Sequence, residues 1–228
     1  MPKPVPGHLL VGRRRSDGAT VGVLDVPRGD RCDCDCAICG QPLRANQGRR
    51  RRYFSHVPEA SPHCAEGALH RAICEAMAAM QSIHLVPLRE VPRLEGQQRV
   101  VRAIANSWML EQQFRPDVLL ETAAGIRLAV EVVHTNPLSG YKLQALQQEN
   151  LLVLLVDAKE LGAALLREGP SRQALEGLVR RAGPWQSWPV IENMHQPDLI
   201  DSIRPWWDVL GEQPIRELRE LAAMRRWN

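Results

Sequence analysis

The chain has 228 residues, 44% of them hydrophobic, with a formal net charge of +3. That length suits one domain with appendages or two small domains, and the apolar share allows a true core. The near-neutral total does not by itself demand a nucleic-acid partner, and no run of about 18 uninterrupted apolar residues offers a membrane span. The opening Met1-Pro2-Lys3-Pro4-Val5-Pro6 has no apolar stretch of the secretory type. The expected location is therefore the cytoplasm, and the six cysteines then point to metal binding rather than disulfides.

In chain order, two short apolar runs at 8–11 and 20–26 flank Ser16-Asp17-Gly18 and read as a β-hairpin. Residues 31–64 are rich in Cys, Arg and Pro, cannot build a core of their own, and need a staple. Residues 65–81 read as a helix, with Leu69, Ile73, Met77 and Met80 at helical spacing. Short strands are expected at 86–91 and 98–105. Residues 114–120 read as a strand, 121–125 as a turn and 126–133 as a second strand. A helix over 139–150 carries Leu143 and Leu146, and the apolar run 151–156 is typical of a strand buried on both faces. The second hairpin strand, this helix and this strand form a right-handed βαβ crossover. Helices follow near 158–167 and 171–182, the second capped by Ser171. Residues 183–211 are rich in Pro and Trp and carry no clear pattern. A closing helix over 214–227 bears Ile215, Leu218, Leu221 and Met224 on one stripe.

The 31–64 segment holds a metal-ligand pattern. Cys36-Ala37-Ile38-Cys39-Gly40 is a Cys-x2-Cys knuckle, and His56 and Cys64 follow at spacings that a small zinc module can close. Cys36, Cys39, His56 and Cys64 are the expected Zn²⁺ ligands. Cys32, Cys34 and Cys36 alternate, so in a strand all three face one side. Cys32 or Cys34 could therefore replace Cys36, and His63 could replace His56. Cys74, inside the first helix, reads as a packed core thiol.

Two acids carry the chemistry. Asp117, in Phe114-Arg115-Pro116-Asp117-Val118, and Glu131, in Leu128-Ala129-Val130-Glu131-Val132-Val133, are equidistant from Ala124 in the turn. A hairpin centred there sets them opposite each other, with Cβ atoms roughly 5 Å apart. Two like charges that close are unfavourable unless a cation lies between them. Such a pair suits Mg²⁺ or Mn²⁺ in phosphoryl chemistry. The basic runs Arg13-Arg14-Arg15 and Arg49-Arg50-Arg51-Arg52 would supply phosphate contacts.

The motif order is a Cys-x2-Cys pair, a basic stretch, Tyr53-Phe54-Ser55-His56, Cys64, then Glu66-x3-His70 opening a helix, then Arg115-Pro116-Asp117-Val118 and Ala129-Val130-Glu131-Val132. Over about 34–157 this resembles the competence protein CoiA-like family, which belongs to the PD-(D/E)XK nuclease superfamily. The resemblance implies an α/β, restriction endonuclease-like mixed sheet flanked by helices. It would carry an N-terminal zinc-binding β module (1–64), a nuclease-like core (65–160) and a helical, Trp-rich extension (161–228). It implies a DNA substrate, Asp117 and Glu131 as ligands of Mg²⁺ or Mn²⁺, and the Val132 carbonyl as a third ligand. Glu66 would be an additional acid, with His70 one turn on to orient it or contact phosphate.

The chain departs from the superfamily pattern in one place. The lysine that should stand two residues after the glutamate is Val133. Lys142, at the start of the following helix, could reach back to the sheet, whereas His134 points to the opposite face of a regular strand. The departure leaves two readings in play, a divalent-dependent nuclease assisted by Lys142 and a catalytically inactive zinc-stabilised nucleic-acid-binding protein or adaptor. Trp185, Trp188, Trp206, Trp207 and Trp227 cluster late, with Trp108 earlier, and read as core or partner-facing anchors. The closing helix would pack on the domain or engage a partner protein.

Overall fold

The computed structural model describes residues 9–49, 51–57, 63–87, 96–105, 115–149 and 151–189. The closing helix, Trp108, Trp206, Trp207 and Trp227 lie outside the described residues, as does Arg50. The fold is mixed α/β, with two sheets and four α-helices among the described residues. No helix among the described residues is long and apolar enough to cross a membrane.

The first sheet is antiparallel. It contains β1 (Val11–Arg14), β2 (Thr20–Gly22), β3 (Gly29–Asp35), β4 (Pro42–Gln47) and β5 (Arg52–His56), in the order β2-β1-β3-β4-β5. Gly18, at φ 66°, turns β1 into β2 where the sequence placed the hairpin turn. Asp33 has φ 49°, and the β3–β4 register shifts between Gly29 and Cys34. Five steps along β3 match two along β4, so β3 takes up three extra residues in an irregular stretch that includes Asp33. Cys32 and Cys34 stay buried on either side of Asp33, where Cys32 Sγ donates to the Leu43 carbonyl and Cys34 Sγ to that of Cys32.

Helix α1 (His63–Ala78) crosses from this sheet to the second one. Leu69, Ile73, Met77 and Met80 are all buried, so the predicted stripe is the packing face. Thr20 Oγ1 donates to the Glu75 carboxylate and ties β2 to the helix.

The second sheet contains β6 (Ser82–Leu85), β7 (Gly96–Ala105), β8 (Val118–Thr122), β9 (Arg127–Val133), β10 (Leu152–Asp157) and β11 (Gln186–Ser187). Its order is β11-β10-β9-β8-β7-β6, with β9–β10 parallel and every other pair antiparallel. A strand expected at 86–91 forms earlier, as β6, and residues 88–91 lie outside the described residues. The parallel step is made by α2 (Gly140–Gln148), capped by the Ser139 side chain. β9 is buried on both faces. Leu128, Val130 and Val132 join the main core with α1, while Ala129 packs with Leu146 of α2 and with Leu151 and Val153.

Helices α3 (Ala158–Glu168) and α4 (Arg172–Arg180) follow β10, with Asp157 and Ser171 as their N-caps. One buried cluster runs from Leu9 and Phe54 of the first sheet through α1 to Leu161, Leu175 and Trp185. The expected units therefore share a core, and the boundary expected at 160/161 falls inside α3. Gly22 marks the tightest join, since a Cβ there would overlap the Pro170 backbone.

Candidate functional site

The ligand atoms of Cys36, Cys39, His56 and Cys64 all lie within 4.8 Å of one another. The knuckle that presents Cys36 and Cys39 is closed by Cys36 N–H to the Gln41 carbonyl (2.8 Å) and Gly40 N–H to the Cys36 carbonyl (2.9 Å). Gly40 sits at φ 72°, where a side chain would be strained. β5 ends at His56, whose Nε2 is 3.4 Å from Cys39 Sγ, and Cys64 comes from the first turn of α1. Burial and the neighbouring Cys39 and Cys36 thiols push the Cys64 thiol up to about 12. A cation offsets that crowding, because it binds the thiolate form. The donor set could hold a structural metal such as zinc, whose sulfur ligands stand about 2.3 Å from the ion. Of the readings left open by the sequence, the irregular strand leaves Cys32 and Cys34 in the core, and the cluster is made with Cys36 and His56.

The acid site lies where β9 ends. The hairpin register runs Val118 with Val130 and Leu119 with Ala129, which continues to Asp117 opposite Glu131. β8 itself starts one residue after Asp117, and this frees the Asp117 carboxylate to fold onto the strand end. Its Oδ2 accepts from the Val132 N–H at 2.9 Å and from His70 Nε2 at 3.1 Å. Glu131 is only 4% exposed, and its Oε2 accepts from Lys142 Nζ at 2.6 Å. Its Oε1 is buried and has no hydrogen-bond partner among the described residues. Lys142 thus reaches back from α2 to the glutamate, while the position two residues after Glu131 is the aliphatic Val133.

The two acids are driven apart in acidity. Burial pushes Glu131 up to about 7, against the Lys142 ammonium, with the Asp117 charge adding to the rise. Burial also works to raise Asp117, but the hydrogen bonds from His70 and Val132 overcome it and hold the group below the usual carboxylate range. The same bond to Asp117 raises His70 above an ordinary imidazole. Environments that separate two neighbouring titrations are a recurring property of acid–base sites.

Glu66 lies on α1 one turn before His70, and its Oε1 is 3.2 Å from His134 Nδ1, an ion-pair distance without hydrogen-bond geometry. His134 does leave β9 toward the face opposite Glu131, and that face is the one α1 covers. Strand parity gave its direction, but the sequence carried no signal that Glu66 would meet it there. Among the described residues, the Cys/His cluster is the one group of three or more such side chains that gathers its ligand atoms this closely. Glu66, Asp117 and Glu131 do not form a second one. His70 engages Asp117 rather than Glu66.

The two arginine runs behave differently. Arg15 makes a two-pronged contact with Asp35 (2.6 and 2.9 Å), Arg14 pairs with Asp17, and Arg13 Nε donates to the Gly18 carbonyl. The antiparallel β1–β3 pairing brings Asp35 opposite Arg13, which supplies the acids. These side chains brace the first sheet at its surface, Arg14 and Arg15 against acids and Arg13 against a backbone carbonyl. Among the described residues, Arg49 and Arg51 stay outside such pairs and line an open hollow. Trp185 is buried, and Trp188 donates to the Val86 carbonyl, so both anchor the fold. Cys74 is a buried core thiol, its pKa pushed up by burial, as its place in the α1 stripe implied.

No protein-family model matches the chain, and no curated protein or solved structure matches it.

Proposed function

We propose that the chain is a divalent-metal-dependent nuclease of CoiA-like type, built on a restriction endonuclease-like core and stabilised by zinc at Cys36, Cys39, His56 and Cys64. The observation that carries this reading is the buried, unpartnered Oε1 of Glu131 beside the Asp117 carboxylate. A buried carboxylate oxygen without a donor costs stability, and a cation is the partner that removes the cost. The β8–β9 hairpin followed by a helical crossover to a parallel strand supports the fold reading.

Asp117 and Glu131 would hold Mg²⁺ or Mn²⁺. That ion supplies charge neutralisation at the scissile phosphate and makes a bound water acidic. The chain's own groups do the rest. Lys142 stands where its ammonium can hold negative charge developing on the phosphate, the task Val133 cannot perform. His70 fixes the orientation of Asp117 and keeps it ionised. Glu66 and His134 stand together on the α1 side of β9, the face opposite Glu131. DNA is the substrate and the cytoplasm the setting.

A second reading, an inactive nucleic-acid-binding protein, is favoured by Val133 and by the engagement of both acids in pairs with His70 and Lys142. The test is cleavage of linear and circular DNA by the purified zinc-bound chain with Mn²⁺, beside Asp117→Ala. Activity abolished by the substitution supports the nuclease. Activity that survives it ends the proposal, and a chain inert on every substrate supports the second reading.

A further inference from the structure

On the first sheet, Arg28, Arg49 and Arg51 line an open concavity of about 560 Å³ together with Asn46, Gln47 and Tyr53. Among the described residues, no ion pair or hydrogen bond engages the guanidinium of Arg28, Arg49 or Arg51, in contrast to Arg14 and Arg15, which pair with acids. The frame around them is fixed. Gln47 Nε2 donates to the Val23 and Val26 carbonyls at 2.6 and 2.7 Å and pins the segment leading to Arg28 against the end of β4. Asn46 Nδ2 bonds Ser55 Oγ at 3.0 Å across the β4–β5 pair, in whose register Asn46 faces Tyr53 and Gln47 faces Arg52.

Three uncompensated cations around one hollow repel each other, and a polyanion relieves that repulsion. The walls are strands and loops, so no helix is offered to a duplex major groove. An aromatic ring set among cations in a groove is the combination that single strands use, with phosphates on the arginines and a base on the ring. We propose that this groove binds single-stranded nucleic acid, with Arg28, Arg49 and Arg51 on phosphates and Tyr53 against a base. The choice of nucleic acid over another polyanion rests on reading the acid site as a phosphodiesterase, but binding in the groove requires no catalysis.

The test is fluorescence anisotropy of labelled oligothymidylate with the full zinc-bound chain, no added divalent cation, and salt from about 50 to about 200 mM. Each arginine removed from a single strand should flatten the log–log salt slope by about 0.7, so Arg49→Gln/Arg51→Gln flattens it by about 1.4. Tyr53→Leu should weaken binding about tenfold with the slope kept. Arg99→Gln, at an exposed arginine of β7, should change neither. An unchanged slope in the double variant, an equal loss in Arg99→Gln, or tighter binding of duplex or polyglutamate would overturn the proposal. Binding as described in a chain that cleaves nothing upholds the groove and refutes the nuclease reading alone.

Discussion

Glu131→Gln separates the charge of the buried glutamate from its shape. The glutamate is 4% exposed, and burial places its pKa at about 7. An unfolded glutamate titrates near 4.3. Because the folded value is the higher one, the native state binds the extra proton, and the stability it contributes is fully present below the unfolded pKa. It is lost as pH rises through about 7. At about 1.4 kcal/mol per pH unit, the part of that loss lying above pH 5 is about 3 kcal/mol. Glutamine keeps the size and has no proton to lose, so the variant should gain on the wild type by about that amount between pH 5 and pH 8. Urea unfolding of both proteins at the two pH values, without added divalent cation, reads the difference. The Cys/His cluster is common to both and cancels. A stability gap between the proteins that is the same at both pH values would refute the claim that a desolvated carboxylate sits at the end of β9.

Zinc content should be one ion per chain, lost in Cys39→Ala and Cys64→Ala but kept in Cys32→Ala and Cys34→Ala, as elemental analysis of the purified proteins would show. Since Cys64 opens the helix that carries Glu66 and His70, the same losses should abolish cleavage. Gly22→Ala places a Cβ against the Pro170 backbone and should destabilise the fold by about 1–3 kcal/mol in urea unfolding. His70→Ala removes the hydrogen bond that counters burial at Asp117, so the Asp117 pKa rises. The alkaline-going onset of metal-dependent cleavage should then move to higher pH, and a pH–rate profile that does not move would count against Asp117 as the ionised ligand.

Much of the site could be read from the residues. The equal distance of Asp117 and Glu131 from Ala124 anticipated the hairpin register, because an antiparallel pair has a constant index sum. The Cys-x2-Cys spacing with His56 and Cys64 anticipated the metal cluster, because a knuckle fixes two thiols locally and leaves two ligands to be supplied from further along the chain. Lys142 was found by its place at the first turn of α2, one short loop after β9. What the sequence could not supply was the partner of each side chain across the fold. That Arg15 meets Asp35 depends on β1 pairing with β3, a non-local choice. That His134 meets Glu66 depends on which face of β9 is covered by α1. That Cys32 and Cys34 stay apart from the metal ligands goes with the irregular stretch between Gly29 and Cys34, which the alternating cysteines did not announce. The shared core of sheet, α1, α3 and α4 was equally hidden, because each contributes only part of an apolar face.

The account turns on whether the acids at the end of β9 hold a divalent cation. Electron paramagnetic resonance of Mn²⁺ titrated into the zinc-loaded chain, wild type beside Glu131→Ala, measures this directly. The account predicts bound Mn²⁺ in the wild type and its loss in the variant, with zinc retained in both. Mn²⁺ binding that is absent from the wild type, or equal in the two proteins, would contradict it.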